Sequence, residues 1–322
     1  MNFKYIAAMV AVAIILGLGA CRKDIAPVLP KSFAHKTDST KPVDSASTDS
    51  DSTDSDSTTN AADSTAKTTD SVPNAADAAN NQIETAPLVH SAVFMNVNNN
   101  VAGFWQSLPA HYAKTTKKYP LIVFMHGVGE LGTNLARINC CGLPRHLQNK
   151  TFPPDFQVKG KHYSFVVMSP QFKRRASPAD VQAMIDFAKR RFRVDPTRVY
   201  VAGMSLGGGS AWDYSAVYGQ SAAAVVPVCG GSQPTPSLAR NVASKYLPVW
   251  AIHSTGDRVV PALWAKEWVD WIRKDNPAMA GNVKLTLWNS IDHNGTWGKA
   301  FDPNTRTDGM NIYQWMLQYA RS

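Results

Sequence analysis

From residue 86 onward the apolar positions fall in short unbroken runs, separated by stretches whose apolar residues recur at helical spacing. Leu121-Ile122-Val123-Phe124-Met125 and Phe165-Val166-Val167-Met168 are two such runs. Arg198–Ala202, Ala223–Val228, Pro248–His253 and Val283–Trp288 are further strand-length segments. They are too short for buried helices and suit strands covered on both faces. Between them the pattern predicts helices over Pro178–Phe192, Leu206–Tyr218, Pro261–Lys274 and Met310–Ala320. The first has a clear start: Ser177 as cap, Pro178 in the first turn and Asp180 as the third helical residue. Upstream, Ala92–Val97 and Val101–Leu108 alternate around Asn98-Asn99-Asn100 and predict an antiparallel pair. The implied fold class is α/β: a mostly parallel sheet with helices on both faces and an antiparallel N-terminal strand pair.

In such sheets chemistry gathers at the carboxyl ends of strands, and the candidate residues fall there. Arg198–Ala202 leads into Gly203-Met204-Ser205-Leu206-Gly207 and then into a predicted helix. Strand, sharp turn and helix are the setting in which a Gly-x-Ser-x-Gly serine is held as a nucleophile. A serine hydroxyl needs a base, and the base needs a group to orient it. Asp257 follows the strand ending at His253, and His293 follows the strand ending at Trp288. His293 is the sole histidine after Asp257, so the order Ser205, Asp257, His293 leaves one choice of base. Asp292 adjoins that histidine too closely to reach its far nitrogen, and Asp213 lies on the helix after the serine. His253 is expected to pack beneath the acid loop. For the developing oxyanion, the donors expected are the backbone N–H groups of Leu206 and of Val128, in the loop His126-Gly127-Val128-Gly129-Glu130. Glu130 is expected to brace that loop or an arginine, with a part in substrate binding also considered. Trp297 either flanks the cleft as a substrate platform or is a core residue, and Trp264, Trp268 and Trp271 share a buried helix face.

Before residue 86 the pattern changes twice. Lys4 precedes an apolar run, Ile6–Leu18, that ends in Leu18-Gly19-Ala20-Cys21. A basic start, a short hydrophobic centre and small residues mark a signal peptide. The last four residues resemble a bacterial lipobox, which makes Cys21 a lipidation site. Residues 22–85 are rich in Asp, Ser and Thr, with too little apolar surface to offset ordering, and are expected to be a disordered spacer. Its Asp-Ser-Thr and Asp-Ser-Ala triplets resemble O-glycosylation acceptors. Residues 86–322 form the catalytic domain, giving the organisation 1–21, 22–85 and 86–322.

Charge sharpens this division. The whole chain has net charge +9, yet 26 of its 33 Lys and Arg and only 13 of its 24 Asp and Glu lie in residues 86–322. A basic exported domain favours acidic partners such as anionic polysaccharide, and no nucleic-acid module is visible. With Cys21 assigned to lipid, Cys140, Cys141 and Cys229 remain; a disulfide from Cys229 to Cys140 or Cys141 and free buried thiols are both open. No Cys-x-x-Cys or paired-histidine spacing points to a metal.

Taken together, the segment from Val89 to Ala320 resembles the α/β-hydrolase superfamily, and within it secreted bacterial esterases of the polyhydroxybutyrate-depolymerase and feruloyl-esterase type. The likeness is carried by His126–Gly132, Gly142-Leu143-Pro144, Ser169-Pro170-Gln171, Gly203–Gly209 and His293–Trp297. Relatives more often place glycine directly after the histidine that stands at 253, and the pair Cys140-Cys141 is unusual. The resemblance implies an α/β-hydrolase fold and ester hydrolysis through an acyl-enzyme, without a cofactor. The expected substrates are feruloyl, acetyl or similar acyl esters of polysaccharide or oligosaccharide outside the cytoplasm. The expected enzyme is a monomer held to the outer membrane, at the cell surface or on its periplasmic side, by its N-terminal lipid. A serine peptidase and a polyester or lipid esterase are the alternatives; Asn139–Val158 is the insertion with room for a lid.

Overall fold

A computed structural model describes residues 82–322, Ser290 excepted. The expected signal peptide, Cys21 and nearly all of the spacer lie outside the described residues. Among the described residues no helix is long and apolar enough to cross a membrane.

The strands are β1 (Val89–Val93), β2 (Val101–Leu108), β3 (Tyr119–Met125), β4 (Phe156–Val158), β5 (Lys161–Tyr163), β6 (Val166–Phe172), β7 (Val194–Met204), β8 (Ala224–Val228), β9 (Val249–Ser254) and β10 (Val283–Trp288). Eight of them form one sheet in the order β1-β2-β6-β3-β7-β8-β9-β10, and β4 pairs with β5 apart from it. β1 and β2, and β2 and β6, are antiparallel; from β6 to β10 the pairing is parallel. The opening pair is therefore present, but its first strand runs over Val89–Val93 rather than Ala92–Val97. The Asn98 side chain accepts the N–H groups of Asn100 and Val101 at 2.8 and 2.9 Å, closing a side-chain turn that keeps Phe94–Val97 out of the ladder.

All seven residues of β3 are buried, as a strand covered on both faces requires. Leu121, Val123 and Met125 enter one apolar cluster and Ile122 and Phe124 enter the other. On the first face lie α2 (Pro178–Arg191), α3 (Leu206–Tyr218), α4 (Pro236–Ala243) and α5 (Ala262–Asp275); on the second lie α1 (Gly142–Gln148), α6 (His293–Ala300) and α7 (Ile312–Met316). Ser177 and Asp180 form the expected reciprocal cap of α2. Trp268 on α5 is fully buried and stacks on Trp212 of α3 with ring centroids 4.7 Å apart. Helix α7 is shorter than the predicted Met310–Ala320: its capping box at Asn311 sets the start at Ile312, and it ends at Met316.

The expected lid insertion is built into the second face. Leu143 and Leu147 of α1, with Phe152 and Phe156, are buried in that cluster. The cysteines differ from the open choice above: Cys140 and Cys141 are joined to each other as a vicinal disulfide, and Cys229 is free and buried. Cys229 closes β8 on the far side of β7 from β3, whereas the cysteine pair ends the 3₁₀ turn Leu135–Cys140 beside Glu130.

Candidate active site

Strand order sets the position of the site. From β3 the chain moves outward to β6, returns across β3 to β7, and then runs through β8 and β9 to β10. The connections leave β3 and β7 in opposite directions, so a crevice opens between their carboxyl ends. Met125 of β3 is level with Gly203 of β7, which brings the loop after each strand to the same height.

Ser205 stands at the β7–α3 turn with φ 54° and ψ −117°, a left-handed backbone that costs a non-glycine residue strain. The surrounding backbone holds it there. Its N–H donates to the Val228 carbonyl at 2.9 Å, and its carbonyl accepts from Gly209 at 2.9 Å and Gly231 at 3.0 Å. Two glycines make the turn sterically feasible: a Cβ at Gly203 would collide with the Gly207 carbonyl, and one at Gly207 with the Met125 carbonyl. Leu206 is the first residue of α3, so its N–H has no helical acceptor and is free for another partner.

Asp257 and His293 start two and three strands away from β7 in the sheet order. The loops after β9 and β10 bring both back over Ser205. His293 begins α6, whose cap is Asp292; the Asp292 carboxylate accepts the Gly295 N–H at 2.6 Å. That position aims the His293 ring at both partners: Nε2 lies 2.8 Å from Ser205 Oγ, and Nδ1 lies 2.7 Å from Asp257 Oδ2. Oδ1 of Asp257 accepts the N–H groups of Val259 and Val260 at 2.8 and 2.9 Å. Burial works to raise the Asp257 pKa, but the His253 and His293 side chains and the Val260 N–H outweigh it and hold the carboxyl well below the usual range. The group stays ionised. Asp213 is engaged elsewhere, by Arg175 and Ser232 at 2.7 and 2.6 Å.

The loop after β3, which carries Val128, is held from behind by His126. Its Nε2 accepts the Phe172 N–H at 3.0 Å, which leaves the proton on Nδ1 to donate to the Gly127 carbonyl at 2.7 Å. Burial pushes the His126 pKa down to about 4, against the pull of the Gly127 carbonyl, so the ring is neutral in neutral solution. Gly127 packs beside Ser205: a Cβ on it would lie 3.7 Å from the serine Cβ. Val128 opens the following 3₁₀ turn, Val128–Glu130, and its side chain is exposed. The Glu130 carbonyl also holds this turn, accepting from Gln171 Nε2 at 2.8 Å. The Glu130 carboxyl is buried, with Oε1 3.4 Å from Cys140 Sγ and Oε2 without a hydrogen-bond partner. Burial raises its pKa against the pull of the Gly127 backbone and of Arg137, the loop and the arginine it was expected to brace.

Trp297 is half-buried and packs against the second apolar cluster. Two groups of metal-ligating atoms occur among the described residues. In one, the two sulfurs of Cys140 and Cys141 are bonded to each other beside Glu130; in the other, Asp257 and His293 already bind each other beside Cys229. The roles of His126 and Gln171 were not read from the sequence. Both act through backbone atoms, which leave no side-chain pattern.

The family model for the Dienelactone hydrolase family matches residues 152–293, a segment that contains Ser205 and Asp257 and ends on His293. The strand order and the matched segment together give the chain the α/β-hydrolase fold. No curated protein matches this chain in sequence. Among solved structures it is similar to a thermostable esterase, with a TM-score of 0.53 and 19% identity over 73% of this chain. The chain spans 63% of that esterase's length, just under two thirds. It is also similar to a fluorophosphonate-binding serine hydrolase of Staphylococcus aureus, with a TM-score of 0.50 and 12% identity over 67% of this chain and 96% of the other. At these identities the likeness is one of fold.

Proposed function

We propose that this α/β-hydrolase is a serine carboxylic-ester hydrolase working through an acyl-enzyme. The observation that carries the reading is the line from Ser205 Oγ through the His293 ring to Asp257 Oδ2, with steps of 2.8 and 2.7 Å. With its Nδ1 proton directed to Asp257, His293 presents a lone pair on Nε2 to the serine hydroxyl. Nε2 takes that proton as Oγ attacks the ester carbonyl, then returns it to the leaving alcohol. Water, activated by the same nitrogen, releases the acid. The N–H groups of Leu206 and Val128 are the proposed donors to the oxyanion, each worth roughly 3 kcal/mol in systems of this kind.

The proposed substrates are feruloyl, acetyl or similar esters on polysaccharide or oligosaccharide outside the cytoplasm. The excess of basic residues in 86–322, which favours acidic polymers, supports this reading. In the same proposal Cys21 carries the lipid that ties a monomeric enzyme to the membrane. The test is hydrolysis of p-nitrophenyl acetate, longer acyl esters, methyl ferulate, acetylated xylan and peptide amides by wild type and Ser205→Ala. Ester turnover that disappears in Ser205→Ala is expected. Turnover that persists there would sink the nucleophile assignment, and equal rates on amides and esters would favour a peptidase.

A further inference from the structure

A second histidine lies behind the acid. His253, the fifth residue of β9, is 0% exposed, and its Nε2 lies 3.1 Å from Asp257 Oδ2, the same oxygen that His293 approaches from the other side. Nε2 is also 3.1 Å from the Val260 carbonyl, its hydrogen-bond partner. Its other nitrogen, Nδ1, is buried without a partner. Together these contacts define the ring's state. A proton on Nδ1 would be a buried donor with nothing to receive it, a costly arrangement. The ring is therefore neutral, with its one proton on Nε2, shared between the Val260 carbonyl and the Asp257 carboxylate.

The acid loop turns on this contact. Val260 donates its N–H to Asp257 Oδ1, while its carbonyl receives the His253 proton. Asp257 thus meets donors at both oxygens: Val259 and Val260 at Oδ1, His293 and His253 at Oδ2. Rotating the carboxylate away from His293 would break contacts on both sides. Among the described residues the Cys229 thiol at the end of β8 also faces this cluster, and burial keeps it protonated.

We propose that His253 is a positioning residue for the acid: its neutral imidazole, through Nε2–H, clamps Val260 and the Asp257 carboxylate so that Oδ2 stays aimed at His293 Nδ1. This rests on the serine-hydrolase reading above. It adds a fourth member that touches neither substrate nor nucleophile and acts through Asp257.

The test uses the full chain and a fluorophosphonate probe, whose rate of attachment to Ser205 reports nucleophile activation without knowledge of the natural ester. Three variants separate donor from filler. His253→Gln keeps an N–H near the Nε2 position, His253→Asn moves it to the Nδ1 position, and His253→Leu fills space with no donor. Labelling of Ser205 is expected to slow about 10- to 100-fold in His253→Asn and His253→Leu, the scale of a lost orienting hydrogen bond. His253→Gln should recover to within about threefold of wild type, a charge-free donor being the feature required. With the donor gone, negative charge concentrates on Oδ2 and His293 holds its proton longer, so the acid limb of the labelling profile should move to higher pH in His253→Leu. Wild-type rates and an unmoved pH profile in folded His253→Leu would overturn the proposal. So would equal losses in all three variants with matching losses in Tm, which would assign His253 to packing. Failure of the underlying reading looks different: wild type would not be labelled at Ser205, whatever stands at 253.

Discussion

Replacing Asp257 by asparagine tests the hydrogen-bond logic of the site with almost no change in volume. Two backbone N–H groups, from Val259 and Val260, point at Oδ1 at 2.8 and 2.9 Å. An asparagine must therefore turn its carbonyl oxygen toward them and place its NH₂ where Oδ2 now sits. That NH₂ would face His293 Nδ1 across 2.7 Å. Two donors cannot face each other, so the ring must give up its Nδ1 proton and carry one on Nε2 instead. Nε2, 2.8 Å from Ser205 Oγ, would then have no lone pair to accept the serine proton. The same wrong tautomer in a serine protease costs about 10⁴ in kcat, or about 5.5 kcal/mol of barrier. We expect a loss of about that size in Asp257→Asn, both in p-nitrophenyl acetate turnover and in fluorophosphonate labelling, with native circular dichroism. A folded variant that loses less than about tenfold would refute the reasoning, because the base would then not depend on the tautomer that Asp257 imposes.

His126 makes stability depend on pH. Its pKa is about 4 in the folded chain against about 6.5 unfolded, so between those values the unfolded state binds a proton that the folded state does not. Stability should fall as pH drops from about 6.5 and level off below about 4, by about 3 kcal/mol from this residue alone. Protonation would set Nε2–H against the Phe172 N–H, so the loop that carries Val128 should loosen in the same window. Urea unfolding of wild type and His126→Asn checks this: the variant should be less stable at pH 7 and show a flatter slope, and equal slopes would exclude His126 as the source. Asp257 acts in a lower window. Its folded pKa is depressed, so its contribution is present above about pH 4 and is lost as pH falls further. For the cysteines, peptide mapping under non-reducing conditions should recover the peptide holding Cys140 and Cys141 unalkylated and lighter than its dithiol form by the mass of two hydrogens, and Cys229 should alkylate only after unfolding. A Cys229 crosslink would contradict the fold around β8.

The hydrophobic pattern carried most of the architecture. Continuous apolar runs such as Leu121–Met125 can be buried only where both faces are covered, and that requirement alone predicts a parallel sheet between helices. The turn around Ser205 was legible for a local reason: Gly203 and Gly207 mark a backbone too crowded for side chains. Chain order then singled out Asp257 and His293, because the loops after successive strands open on one edge. Other features depend on atoms far apart in sequence. No pattern showed that His253 would share Asp257 with His293, although both histidines follow strands and the first precedes the acid by four residues. His126 reads as part of a glycine loop until β6 presents the Phe172 N–H to its ring. Cys140 and Cys141 pair with each other because Cys229 closes a strand on the far side of β7. Burial pattern and local sterics are properties of short segments, so the sequence by itself determined the elements and the elbow. Partnerships between side chains and distant backbone groups exist only once strand order is set, so the tertiary structure alone decided how Asp257 and the loop after β3 are held.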